Sequence, residues 1–215
     1  MSAIRKIVST IAFVLLMIVL PLLFKPGLLF HYKTIIILAG ALAMFFTQPA
    51  FSIREVVTNK KTDRYSIVII LLASIFSVSL SLIEWAYFKN SQQSSILFTL
   101  SGIALICAGL ALRLYSIFTL GKYFTATARS TNEHILIKSG PYSIVRHPSY
   151  LGAMIVMIGV PVLLNNIITF FITIILLCIA YVIRINAEEK LLISIFGDEY
   201  KKYSLYVKKL IPGIW

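Results

Sequence analysis

The sequence predicts an all-α integral membrane protein, on the basis of its composition, its long apolar runs and the placement of its basic residues. Of the 215 residues, 59% are hydrophobic and 13% are charged, whereas a soluble domain carries about 25% charged residues. The 20 Lys and Arg against 8 Asp and Glu give a net charge of +12. This surplus lies in short loops between apolar runs, which is typical of membrane proteins rather than of nucleic-acid binding.

About six apolar segments are expected, and the first four approach or exceed the length that crosses a bilayer. These four are Ile7–Phe24, Thr34–Phe51, Ser66–Phe88 and Ser95–Leu120. We interpret the first as a retained span, because a small-residue cleavage site of the kind that ends a signal peptide does not precede Lys25.

The last two segments are expected to form a helical hairpin. A polar, basic stretch, Gly121–Ser149, is followed by the short apolar run Tyr150–Leu164, and Ile167–Ile183 runs back after a turn at Asn165 and Asn166. An amphipathic helix from Ala187 to about Lys202 should then rest on the membrane. Its acidic residues are expected in solvent and its tyrosines in an interfacial aromatic belt; these are Glu189, Asp198, Glu199, Tyr200, Tyr203 and, just beyond, Tyr206.

The basic residues also predict an orientation. With the N-terminus in the cytoplasm, all of the 20 Lys and Arg except Lys25, Lys33 and Lys89 fall on the cytoplasmic side. The positive-inside rule therefore places both chain ends and the polar stretch in the cytoplasm. Two charges lie within apolar runs: Glu84 is expected to snorkel to the outer surface, and Arg113 is a candidate for contact with a substrate headgroup or the site.

Chemistry-bearing residues concentrate at the two ends of the hairpin. Arg184 and Glu188 are four residues apart, so they share a helix face. The hairpin can bring His147 and Tyr150 against them and form a polar cavity at the membrane surface. The alternative is a surface ion pair worth a few tenths of a kcal/mol.

Several motifs in this region resemble the isoprenylcysteine carboxyl methyltransferases and the related phospholipid methyltransferases. The motifs are Gly140-Pro141-Tyr142, Arg146-His147-Pro148-Ser149-Tyr150, Arg184-x-x-x-Glu188-Glu189 and Phe196-Gly197-Asp198-Glu199-Tyr200. The resemblance covers the chain from about Gly121 onward. It implies a multispanning enzyme with a cytoplasmic S-adenosylmethionine pocket, in which residues 1–120 are N-terminal transmembrane helices and residues 121–215 form the catalytic, cofactor-binding region.

The resemblance also implies roles for individual residues. The implied cofactor contacts are His134, Ile135, Leu136, Ile137, Tyr142, His147, Pro148, Ser149, Tyr150 and Glu188. Glu188 is the carboxylate near the cofactor's amino group, and Arg184 binds the substrate; the implied catalytic set is Arg184, Glu188 and His147. Arg146, His147 or backbone amides are candidate donors to the cofactor's carboxylate, and the Tyr142 and Tyr150 rings are candidate faces for its adenine or sulfonium.

The expected function is carboxyl or other O-methylation of an isoprenoid or other lipidic acceptor in a prokaryotic plasma membrane. A carboxylate acceptor is already ionised and needs no base, whereas an amine or hydroxyl would need Glu188, Glu189 or neutral His147. The partners are then the prenylated or lipidic acceptor and membrane lipid, without nucleic acid. A metal is not expected, because three histidines without clustered ligands make no metal site.

Three alternatives remain open. The same enzyme class includes phosphatidylethanolamine N-methylation. A membrane reductase that uses NADPH, similar to the steroid reductases, would want arginines for the 2′-phosphate near Arg129 or Arg146. A transporter or scaffold would bind no cofactor.

Overall fold

The computed structural model describes residues 10–48, 61–89, 95–123 and 135–215, without the side chains of residues 61–64 and 122. Seven helices lie within these ranges: α1 (Thr10–Leu22), α2 (Tyr32–Phe46), α3 (Lys61–Ile83), α4 (Ile96–Leu120), α5 (Pro148–Leu163), α6 (Ile167–Phe196) and α7 (Asp198–Tyr206). α3 continues as a π-helical turn, Glu84–Phe88. Three short 3₁₀ turns occupy Pro26–Phe30, Gly121–Tyr123 and Gly140–Ser143. The predicted all-α class is confirmed.

Three of these helices are long and apolar enough to cross a bilayer, namely Tyr65–Phe88, Ile96–Leu120 and Ile167–Phe196. The first two match the predicted third and fourth runs to within a residue. α1, α2 and α5 are apolar but shorter. α2 ends before the predicted Phe51: its C-cap is Thr47, whose hydroxyl donates to the Met44 carbonyl at 2.9 Å.

Large apolar side chains cover the outward faces of the long helices. Leu72, Phe98, Phe118 and Phe171 are all exposed. Exposed apolar surface of this extent is unfavourable in water and marks contact with lipid. The chain is therefore an integral membrane protein.

α5 and α6 form the predicted hairpin, and charged side chains from elsewhere in the chain bind the backbone beside its turn. Asn165 adopts a left-handed conformation at the turn, with φ of 57°. Lys33 Nζ donates to the Leu163 carbonyl at 2.9 Å, and Glu84 Oε2 accepts from the Thr169 N–H at 3.0 Å. A cation thus lies at the C-terminus of α5 and an anion at the N-terminus of α6, as the helix dipoles favour. The expected snorkelling of Glu84 is wrong: this residue is 8% exposed.

α4 and α5 pack at backbone contact. A Cβ on Gly109 would lie 2.6 Å from the Gly152 carbonyl oxygen, and one on Gly152 would lie 2.7 Å from the Gly109 oxygen. Small residues allow such close approach between membrane helices. The consequence for the site is that α4 presents Arg113 directly to the first turn of α5.

The C-terminal part of the chain folds back on the polar stretch. α6 runs unbroken past Ala187 to Phe196 and ends at Gly197, whose φ is 56°. The chain then forms α7 and returns, so that Val145 and Lys208 make a parallel β-bridge. The predicted amphipathic helix from Ala187 to about Lys202 is therefore wrong in its bounds. α6 continues through Ala187, and the break falls at Gly197, whose positive φ ends α6.

The predicted interfacial tyrosine belt is wrong for two of its three members. Tyr200 is 1% exposed and Tyr203 is 8% exposed, because α7 packs against the polar stretch. The Tyr203 hydroxyl donates to the Tyr142 carbonyl at 2.5 Å. Tyr206 is 86% exposed. Asp198 and Glu199 lie at the surface as expected, with side chains 83% and 57% exposed.

Candidate active site

The first functional element is the start of α5. Pro148 is the first helical residue, a position where its missing N–H costs nothing, and His147 is the N-cap. The first turn closes with a hydrogen bond from the Tyr150 N–H to the His147 carbonyl at 3.1 Å. The His147 and Tyr150 rings stack, with centroids 5.6 Å apart and planes 4° from parallel.

Tyr150 joins this element to α6. Its hydroxyl donates to Glu188 Oε2 at 2.5 Å and accepts from Arg184 Nε at 3.0 Å. Arg184 Nε and Glu188 Oε2 are 3.9 Å apart, as the shared helix face requires. Arg184 Nη1 also donates to Ser66 Oγ of α3 at 3.2 Å. We name Tyr150, Arg184 and Glu188 the open-end cluster, because they lie at the end of the hairpin opposite its turn.

Access differs within the open-end cluster. The Arg184 side chain is 7% exposed, whereas the Glu188 side chain is 26% exposed. Glu188 therefore has room to accept from a further donor. The sequence predicts that the hairpin brings His147 and Tyr150 against Arg184 and Glu188. Tyr150 contacts both residues, whereas His147 Nε2 lies 3.4 Å from Glu189 Oε1 instead.

Glu189 forms a second cluster beside the first, and its expected solvation is wrong. Its side chain is 12% exposed. Oε1 accepts from Arg146 Nε at 2.8 Å and Nη2 at 2.6 Å, and from the Tyr200 hydroxyl at 3.3 Å. His147 Nε2 lies 3.4 Å from the same oxygen, and Lys209 Nζ lies 3.3 Å from Oε2. One residue along a helix turns a side chain by about 100°, so Glu189 faces the polar stretch and the C-terminal tail.

Arg146 is a structural link rather than an open donor, which corrects its expected role. Beyond Glu189, its Nη1 donates to the carbonyl of Ser204 at 3.1 Å and to that of Val207 at the C-terminus of α7. The backbone amides of Arg146 and His147 are also occupied, since they donate to the Lys208 and Lys209 carbonyls at 2.8 and 2.9 Å. The Arg146 side chain and these two backbone amides are therefore not open donors for a cofactor carboxylate.

Tyr142 and Tyr203 line the same region from the polar side. Burial and the nearby Glu188 carboxylate raise the pKa of Tyr142 well above its usual range. Burial raises the pKa of Tyr203 to about 12, although Arg146 opposes the shift. Both hydroxyls are thus neutral hydrogen-bond donors at physiological pH. The Tyr142 hydroxyl donates to the Ser116 carbonyl at 3.4 Å.

Arg113 connects α2 and α4 to the first turn of α5. It is 2% exposed. Its Nη1 donates to Ser149 Oγ at 3.0 Å, and its Nε donates to Thr47 Oγ1 at 3.0 Å. The structure thus places Arg113 against Ser149, one of the residues implied to contact the cofactor.

Four of the implied cofactor residues precede this region. His134 lies outside the described residues. Ile135, Leu136 and Ile137 are described, and Ile135 is 63% exposed. No hydrogen bond among the described residues joins these three to the open-end cluster. Within the same described ranges, no group of three or more His, Cys, Asp or Glu could hold a metal ion.

The sequence did not predict that Glu189 joins Arg146, Tyr200 and Lys209 in one polar network. The available signal was the pair of consecutive acids at a membrane boundary, where an unpaired carboxylate is costly. Its partners are 11 to 43 positions away along the chain, so the pattern alone does not identify them.

Comparison with known proteins places these residues in a family. The isoprenylcysteine carboxyl methyltransferase (ICMT) family matches residues 102–194. A protein-S-isoprenylcysteine O-methyltransferase of Schizosaccharomyces pombe is 34% identical over 116 residues, which cover 53% of this chain and 49% of that protein. Protein-S-isoprenylcysteine O-methyltransferase B of Arabidopsis thaliana is 32% identical over 145 residues, which cover 66% of this chain and 73% of that protein.

The fold gives a concordant result. A structure of the eukaryotic intramembrane Ras methyltransferase ICMT superposes with a TM-score of 0.61 at 19% identity, covering 85% of this chain and 74% of that one. The chain spans about half the length of the two yeast relatives that it matches. Because the Arabidopsis protein is matched over more than two thirds of its length, the chain belongs to the isoprenylcysteine carboxyl methyltransferase family.

Proposed function

We propose that this chain is a membrane methyltransferase that uses S-adenosylmethionine to methylate the carboxylate of a prenylated or other lipidic acceptor. The observation that carries the proposal is the open-end cluster, in which a buried guanidinium and a partly exposed carboxylate share the Tyr150 hydroxyl. Family membership supports the reaction class, since the relatives are named protein-S-isoprenylcysteine O-methyltransferases.

The residues present fit the cofactor's ammonium, sulfonium and adenine groups. Its ammonium group needs an anion, and the Glu188 carboxylate has acceptor capacity on its exposed side. The stacked rings of His147 and Tyr150 offer aromatic surface, which attracts a sulfonium cation or packs against adenine. Ser149 adds a hydroxyl held by Arg113. When bound, S-adenosylmethionine supplies the electrophilic methyl group.

Arg184 has the position and charge to orient the acceptor. Its guanidinium lies beside Tyr150 and Glu188, so a carboxylate that approaches the cluster comes near a cation. Glu188 Oε2 lies 3.9 Å from Arg184 Nε, and the Tyr150 hydroxyl bridges the two side chains.

The protein's contribution is mainly positioning. A carboxylate is ionised at neutral pH, so this reaction needs no general base. In-line displacement at the methyl carbon instead requires alignment and exclusion of water, and holding reactants in line supplies much of the rate. The buried Arg184 side chain and the partly buried Tyr150 ring provide anchors for that alignment.

We further propose that all six apolar helices contact or cross the membrane, with both chain ends and the open end of the hairpin in the cytoplasm. The distribution of Lys and Arg supports this orientation. The same proposal includes the division of the chain into N-terminal transmembrane helices, residues 1–120, and a catalytic, cofactor-binding region, residues 121–215. The lipidic acceptor enters laterally between helices, and the water-soluble cofactor enters from the cytoplasm.

The first experiment is calorimetric titration of the detergent-purified chain with S-adenosylmethionine, S-adenosylhomocysteine and NADPH. The proposal expects saturable binding of both adenosyl ligands and none of NADPH. NADPH binding alone would support a reductase, and binding of none of the three would support a scaffold; either contradicts the proposal.

The second experiment identifies the acceptor. Methyl-labelled S-adenosylmethionine is incubated with a farnesylated cysteine that has a free carboxylate, with its carboxamide, and with phosphatidylethanolamine. Label is expected in the free carboxylate as a base-labile ester. Label in phosphatidylethanolamine alone would replace carboxyl methylation with N-methylation.

A further inference from the structure

Five buried polar atoms lie along α3 and α6 near the turn end of the hairpin without a hydrogen-bond partner in the described part of the chain. They are Ser77 Oγ, Trp85 Nε1, Asn166 Oδ1, Thr169 Oγ1 and Thr173 Oγ1. None of these residues is more than 2% exposed. Buried polar groups are normally paired, and an unpaired one is costly where bulk water is excluded. Five along one helix pair therefore require an explanation.

Two hydrogen bonds fix how α3 and α6 lie against each other. Asn166 Nδ2 donates to the Ser81 carbonyl at 2.7 Å, and at the far end Arg184 Nη1 donates to Ser66 Oγ at 3.2 Å. The helices are therefore antiparallel. With a rise of about 1.5 Å per residue, Thr169 and Thr173 fall within about one turn of Ser81 and Ser77.

The chemistry of the five atoms restricts what can occupy this seam. The Trp85 indole N–H only donates, the Asn166 carbonyl oxygen only accepts, and the hydroxyls of Ser77, Thr169 and Thr173 do both. The occupant must therefore donate and accept, and it must be small enough to enter a helix interface. Water meets these requirements, since buried water typically makes about three hydrogen bonds to polar groups that lack protein partners.

The backbone also departs from α-helical geometry at this place, as it does in α1 over Leu15–Val19. α3 changes to π-helical geometry over Glu84–Phe88, which includes Trp85. A π-turn widens the helix and leaves local backbone geometry irregular, and such turns are frequent at functional sites.

We propose that the α3–α6 seam holds ordered water that bridges Trp85 and Asn166 at the turn end and Thr169, Thr173 and Ser77 deeper in the membrane. The seam is separate from the open-end cluster and does not depend on the methyl-transfer proposal. It contrasts with the cleft between α1, α2, α3, α4 and α5, which is lined by apolar residues such as Met17, Val78 and Met157 and is expected to stay dry.

The first test uses the sign of a stability change. Thr173→Val keeps the side-chain shape and removes the hydroxyl. In a hydrated seam the variant removes one hydrogen-bond partner of the buried water, so the apparent Tm should fall by about 2–4 °C. In a dry seam it removes an unpaired group, so Tm should rise. A rise or no change overturns the proposal.

A matched control is Ser74→Ala on α3, where the hydroxyl already donates to the Ile70 carbonyl at 2.8 Å. Its Tm should change by less than that of Thr173→Val. The fall in Tm of the double variant Ser77→Ala with Thr173→Val should be smaller than the sum of the falls in the two single variants, because both hydroxyls bind the same water. Additive losses contradict a shared water.

The second test detects the water without a mutation. X-ray radiolysis converts bound water into hydroxyl radicals that oxidise adjacent side chains, and mass spectrometry locates the products. Trp85 is expected to be oxidised although it is 2% exposed, whereas Met17, which is fully buried in the apolar cleft, is expected to be protected. Equal protection of Trp85 and Met17 overturns the proposal.

Discussion

The two ends of the α5–α6 hairpin both contain buried charges, and they use them in different ways. At the turn end, Lys33 and Glu84 face the backbone groups that the helix termini leave open. At the open end, Arg184 and Glu188 face each other through Tyr150, and Glu188 retains access to solvent. Burial of a charge in a membrane protein therefore does not mark a site by itself; the kind of partner and the remaining access do.

The open end is itself divided. Glu188 has one short hydrogen bond and an exposed side, whereas Glu189 is bound by Arg146, Tyr200 and Lys209 and is 12% exposed. Adjacent carboxylates on one helix thus have different tasks. Glu188 is the carboxylate that we propose to bind a ligand, and Glu189 holds the polar stretch and the tail on α6.

The largest expected effect tests this division. Arg146→Ala should leave the Glu189 carboxylate buried with its main partner missing, and breaking such a pair costs about 3–5 kcal/mol. Apparent Tm and protease resistance of the purified variant measure the loss. A matched control is Lys138→Ala, which removes one partner of an exposed pair with Glu199 at 2.7 Å and should change stability by less than about 1 kcal/mol. Equal effects would contradict the structural role of Arg146.

The next effect concerns binding rather than stability. Glu188→Gln keeps the shape and removes the charge, so S-adenosylmethionine affinity should fall about 10- to 100-fold, as expected for one charge-assisted hydrogen bond. Tm should change little. Calorimetric titration measures the affinity, with Glu199→Gln as the control at an exposed position. A large fall in Tm with unchanged affinity would assign Glu188 to the fold instead.

The turn end should respond in the opposite way. Glu84→Gln removes the anion at the N-terminus of α6 and should cost about 1–2 kcal/mol of stability. Methyl transfer per folded molecule should be unchanged. Thermal unfolding and activity of the same preparation check both expectations, and a variant with normal Tm but lost activity would mean that the two ends are not distinct.

The smallest expected effect lies in the tail. Lys209 Nζ donates to Asn186 Oδ1 at 2.9 Å and approaches Glu189 Oε2 at 3.3 Å, but it is 25% exposed. Lys209→Met should therefore cost about 0.5–1 kcal/mol. Lys209→Arg should restore most of the loss. The rate of proteolytic cleavage in the tail is measured for Lys209→Met and Lys209→Arg. Equal rates in the two variants would exclude a charge-dependent contact.

The sequence was sufficient to predict the elements whose partners are near in the chain. The hairpin follows from two apolar runs around Asn165 and Asn166, and the pairing of Arg184 with Glu188 follows from helical spacing. Three predictions failed because the decisive contacts are distant. Glu84 binds Thr169, 85 positions away, and Tyr203 binds Tyr142, 61 positions away. The solvation predicted for Glu189 failed for the same reason, since Arg146 is 43 positions away.

The backbone pairing of Arg146 and His147 with Lys208 and Lys209 has a consequence for biosynthesis. The hairpin can enter the membrane as soon as it leaves the ribosome, but the backbone around His147 lacks its partners until the tail has been made. At about 5–20 residues per second, translation of the intervening sixty or so residues takes about 3–12 s. The hairpin itself (residues 148–196) is made within this interval, so the candidate site can close only after the whole hairpin has been translated.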